Sequence, residues 1–172
     1  MILYLFLPLF LLLLIILQNT VSEILFFGVV GMEISLILVI YVGFRLDVFK
    51  GGMISFLLGF FLDCFTGSFS GFYALIYVCV FLVSMSASLR ITLEKAPLIM
   101  LFTLMCALLE GIMITILYPL IYNIDIISIP ALTAYLPQTL IVVLVSPVFF
   151  QIFRRIEALL ENVANAKQLK RI

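Results

Sequence analysis

The chain has 172 residues, of which 66% are hydrophobic and only 10% charged, with nine basic side chains balanced by nine acidic ones and a mean hydropathy of +1.41. That composition excludes a water-soluble domain. A hydrocarbon core about 30 Å thick takes about 20 apolar residues per helix, so the length accommodates roughly five to seven membrane spans and no separate soluble domain.

The first apolar run, residues 2 to 18, is expected to be a retained span. It has no basic residue ahead of it, and the run Leu9 to Leu17 passes into QNTVSE without a small-x-small cleavage site. Further breaks in hydropathy fall at 18 to 23, 45 to 50, 66 to 71, 90 to 96 and 123 to 130. They place the remaining spans near 30 to 44, 51 to 66, 71 to 89, 97 to 121 and 131 to 153. Strands are excluded: the dyad alternation of a membrane barrel is missing, and open strands in lipid leave backbone groups unpaired. The expected fold is all-α, a six-helix transmembrane bundle over residues 1 to 153.

Span three carries Gly51, Ser55, Gly59, Asp63 and Gly67, each four residues after the last, with Gly52 beside the first and Gly71 closing the turn TGSFSG. Small residues at this spacing form a ridge that lets another helix approach closely. The ridge is expected to serve either packing within this bundle or an interface with a partner's transmembrane helix. Asp63 lies twelve residues beyond Gly51, about 18 Å along a helix axis. Glu110 lies thirteen residues beyond Pro97 on span five, which enters from the same side. The two acids thus share one depth, in the outer half of the bilayer, and with Gln138 of span six, and Gln18 and Asn19 as further candidates, they suggest a shared polar pocket. With every cation at the far side, at least one acid is expected to be protonated or paired with a group from another protein.

Beyond Phe150, Ile152, Phe153, Ile156, Leu159, Leu160 and Val163 recur at helical spacing while charged residues take other positions. Residues 154 to 172 therefore read as a cytoplasmic amphipathic tail, lying on anionic lipid or docking a cytoplasmic partner. Pro119, Pro137 and Pro147 predict kinks in spans five and six.

Charge placement tests the span count. Arg45 and Lys50 follow span two, Arg90 and Lys95 follow span four, and Arg154, Arg155, Lys167, Lys170 and Arg171 follow span six. Six spans put all nine on one side, an arrangement random placement gives on the order of once in 500 chains. Both termini are expected in the cytoplasm, with Arg45, Lys50, Arg90, Lys95, Arg154 and Arg155 as cytoplasmic anchors. Trp is absent, so Tyr4 and Tyr41 are expected at the inner interface and Tyr73, Tyr118, Tyr122 and Tyr135 at the outer one.

No enzyme is expected. Histidine is absent, which excludes Ser-His triads and the commonest zinc sites. Cys64, Cys79 and Cys106 read as small buried hydrophobes without CxxC spacing. A phosphate loop is missing too, and no catalytic, cofactor-binding or metal-binding residue is assigned. No cofactor and no nucleic-acid partner are expected.

The run GFFLDCFTGSFSGFYALIY resembles the most recognisable stretch of the bacterial rod shape-determining protein MreD family, with Gly59, Asp63, Thr66, Gly67, Gly71, Ala74, Leu75 and Tyr77 answering to its pattern. The segments ILQNTV, LILVIYVGF and LLEG at 108 to 111 also resemble that family, in the same order. Where the family commonly carries Pro-Asp before span two, this chain carries Glu33. The resemblance implies a non-enzymatic scaffold of the cell-elongation complex in the bacterial inner membrane, supporting lateral peptidoglycan synthesis. Its implied partners are a bitopic MreC-like protein, MreB filaments, a glycan polymerase, a penicillin-binding transpeptidase and membrane lipid. The family's fold also looks like the substrate-binding subunit of energy-coupling-factor vitamin transporters, which gives the alternative function. The helix of such a subunit that meets the coupling protein carries an Ala-rich motif, whereas span one here has no alanine.

Overall fold

Long apolar runs without two-residue alternation satisfy their backbone groups as helices. In a computed structural model, the residues described are 2–26, 33–67, 71–91, 95–122 and 129–169. Side chains are described over 11–21, 23–24, 33–67, 71–91, 95–117, 119–120 and 137–157. These residues form six helices: α1 (Ile2–Phe26), α2 (Ile34–Arg45), α3 (Val48–Thr66), α4 (Phe72–Ser88), α5 (Ala96–Tyr122) and α6 (Ile129–Leu169). No strand occurs among the described residues. Three stretches, Val48–Thr66, Ala96–Leu117 and Pro137–Glu157, are long and apolar enough to cross a membrane.

Several polar side chains are buried with the apolar core, while many large apolar side chains face outward. Gln18, Ser35, Ser55, Asp63, Ser84, Thr103, Glu110 and Ser146 are buried, while Phe49, Met53, Phe56, Phe60, Leu101, Met105, Ile112, Leu140 and Leu144 stand exposed. Along α5 the exposed side chains Leu101, Met105, Leu108, Ile112 and Ile116 follow the three-to-four-residue period of one helix face. Apolar surface that extensive is a site for lipid or for other apolar chains.

At the centre lies α2. Its residues Ile34 to Gly43 are all buried, as a helix apolar around its whole circumference must be. All five other helices touch it. Its approach to α4 is close at Gly43, where an added Cβ would lie 2.6 Å from the Cβ of Ser84. Tyr41 is buried: its ring meets Phe150 edge-on, and its hydroxyl donates to Glu157 Oε2 at 2.5 Å.

Hydropathy and helix ends differ in α1. The break at 18 to 23 falls inside α1, because Gln18 is a joint and not an end: its buried Oε1 accepts the backbone N–H of Ser35 at 3.0 Å. In the tail α6 continues without interruption past Arg154 and Arg155 to Leu169, as the helical spacing of its apolar residues predicts. Pro119 lies inside α5, and Pro137 and Pro147 inside α6, with both helices running on beyond them. Cys64 is exposed and Cys79 half-buried, so of the three cysteines only Cys106 has the buried setting expected of them all. Tyr4, Tyr118, Tyr122 and Tyr135 have side chains outside those described.

Candidate functional site

The ridge on α3 faces α4. A Cβ on Gly59 would overlap the backbone of Ala74, and one on Gly51 would overlap the Phe81 ring. Ser55 is buried in line with them, its hydroxyl donating to Gly51 O at 2.9 Å. Gly52 is half-buried beside the Phe81 ring. Gly67 ends α3 with φ 64 and Gly71 opens α4 with φ 100, the left-handed conformation that glycine adopts without strain.

Asp63 is held by the turn that follows it. Its Oδ1 accepts the N–H of Tyr73 at 2.8 Å, and its Oδ2 accepts those of Gly71 at 2.9 Å and Ala74 at 3.4 Å. The first N–H groups of a helix have no intrahelical acceptor, and the helix dipole favours negative charge there. Asp63 therefore caps α4 from the helix before it. A carboxylate in an apolar run is satisfied by backbone donors eight to eleven residues downstream.

Glu110 and Gln138 come together elsewhere, and Asp63 does not join them. They meet Glu33, which precedes α2: the three side chains line one cavity. Glu110 is 3% exposed, and its Oε1 has no hydrogen-bond partner. No ion pair reaches Glu33 or Glu110 among the described residues. The three polar side chains line a cavity of about 440 Å³ between α2, α5 and α6, whose remaining wall is almost wholly apolar. Chemically this is an apolar hollow with one polar level and one unused acceptor.

A third polar centre lies at the other end of α2. Arg45 Nε stands 3.6 Å from Glu157 Oε2, the atom that also accepts from Tyr41. Arg45, Lys50, Arg90, Lys95, Arg154 and Arg155 are all exposed. Lys50 lies 3.8 Å from Asp47.

Glu33 and the Ser35–Tyr77 pair, whose hydroxyls lie 2.7 Å apart, were not among the site residues read from the sequence. The signals for Glu33 were an acid at the mouth of an apolar run and its place where the resembled family carries Pro-Asp. No family model, curated protein or solved structure matches the chain.

Proposed function

We propose that the chain is a six-span membrane scaffold with both termini in the cytoplasm, a non-enzymatic subunit of the bacterial cell-elongation complex. In this reading it binds an MreC-like bitopic protein and links it to MreB filaments and to the polymerase and transpeptidase that build lateral wall. The observation that carries it is the outward-facing apolar surface of α3 to α6 around a core that holds the polar groups. Such a surface meets lipid and the helices of other proteins. The choice of complex rests on the resemblance of residues 59 to 77, which form the end of α3, the turn that Asp63 secures and the start of α4.

The orientation draws support from the ion pair of Arg45 with Glu157, which puts the end of α2 level with the part of α6 that carries Arg154 and Arg155. A reporter active only in the periplasm, fused after Ile172, stays silent; activity there refutes the six-span orientation. Purification from mild detergent recovers the bitopic protein, and recovery of coupling-factor ATPases or of a stoichiometric vitamin-like molecule in its place refutes the scaffold reading in favour of a transporter subunit.

A further inference from the structure

The ridge on α3 is filled by α4, so a partner helix needs another face. Ala107, Gly111 and Thr115 follow one another at four-residue spacing on α5 and all line the cavity. A Cβ built on Gly111 meets no atom within 4 Å, in contrast to Gly51 and Gly59. Beside this stripe lies Glu110, nearly fully buried, with Oε1 unpaired.

The shape of the hollow discriminates between occupants. Its wall on α5 runs from Leu104 to Ile116, twelve rises, or about 18 Å of helix. Four wall residues, Leu108, Ile112, Ile116 and Leu140, are 48–62% exposed, so the hollow is open along its side. A small-molecule site encloses about 70–90% of its ligand. A side-open trough with a small-residue floor and a single polar level matches a helix, whose backbone approaches at small residues and whose one polar side chain finds a partner inside.

We propose that the trough between α5 and α6 seats the single transmembrane helix of a partner protein, which packs closely at Gly111 and sets a hydrogen-bond-donating side chain against Glu110. The proposal rests on the scaffold reading and names its contact surface.

The test is photo-crosslinking in cells that co-express the MreC-like bitopic protein, with p-benzoylphenylalanine placed singly at Ile112 and Ile116, and at Leu75 and Leu82, exposed on α4, as comparison. Adducts that map to the partner's span form from Ile112 and Ile116 and not from the α4 positions. With the probe at Ile112, Glu110→Leu lowers the adduct about three- to tenfold, the factor of one interhelical hydrogen bond. Gly111→Leu abolishes the adduct by filling the trough. Gly111→Ala serves as the milder variant, since the space around Gly111 leaves the fold intact, and it lowers the adduct in the same direction. Each variant is first required to elute like the parent in mild detergent. Adducts from the α4 positions alone, or no adduct although the partner co-purifies, overturn the trough and leave the scaffold reading standing. Adducts at Ile112 and Ile116 only to lipid, to a second copy of this chain or to its own segments also overturn the trough. Failure of the bitopic protein to co-purify at all overturns the scaffold reading itself.

Discussion

Replacing Asp63 with alanine removes the acceptor from the N–H groups of Gly71, Tyr73 and Ala74. The bonds to Gly71 and Tyr73, at 2.9 and 2.8 Å, have the length of charge-assisted bonds, while that to Ala74, at 3.4 Å, is weak. Bonds to a charged group contribute about 1.5–3 kcal/mol each, and Asp63 is only 2% exposed, so water does not take its place. Because such values are not additive, the loss is set at about 3–5 kcal/mol. For a chain of this size about 1 kcal/mol moves the thermal midpoint by roughly 2–4 °C, so Asp63→Ala lowers it by roughly 6–20 °C. Asp63→Asn keeps one acceptor oxygen and loses about half as much. The measurement is a heating series in detergent, followed by the monodisperse peak in size exclusion. Cys64→Ala, one residue on and exposed, serves as control and leaves the midpoint in place. If Asp63→Ala stays within about 2 °C of the parent, the capping argument is refuted.

The same substitution has opposite effects at two other glycines. Gly59→Ala puts a Cβ within 2.6 Å of Ala74 N, a backbone atom that does not yield, and destabilises by about 3 kcal/mol or more. Gly111→Ala fills open space inside a helix and stabilises by about 0.5–1 kcal/mol. The heating series reads both, and equal shifts would contradict the packing described. Glu157→Gln weakens the tie to Arg45 and Tyr41 at a site where Arg45 is 47% and Glu157 32% exposed. Its effect is therefore about 1 kcal/mol or less. The thermal midpoint barely moves, while trypsin cleavage at Arg154 and Arg155 speeds up about two- to fivefold through local opening; an unchanged cleavage rate would deny the tie any role in holding α6.

Helices were legible in the sequence because long apolar runs without two-residue alternation satisfy their backbone groups as helices, and the α3 ridge because spacing of four defines a face. What fills that face was not, since periodicity gives a direction and no partner. The depth argument for Asp63 and Glu110 failed in an instructive way. Counting residues along a helix gives level, but the position around the axis decides which neighbour a side chain meets. Asp63 turns toward α4 and Glu110 toward Glu33 and Gln138. Partners of Asp63 lie within eleven residues and a capping reading could have found them. The Glu33–Glu110 contact joins residues 77 apart, and only the packing of α2 against α5 brings them together. Gln18 misled for a related reason: polarity marked it as an end, whereas its hydrogen bond to Ser35 makes it part of the interior.

The enclosure of α2 constrains the order in which the molecule can be built. This helix precedes α4, α5 and α6 in the chain, yet its sides are closed by them. Until α6 arrives, the apolar and polar faces that α2 will bury, Ser35 and Tyr41 among them, have to be sheltered by lipid or by the insertion machinery. The core around α2 closes only when α6 is in place, so a chain stopped after α4 holds an unfinished centre rather than a smaller stable bundle.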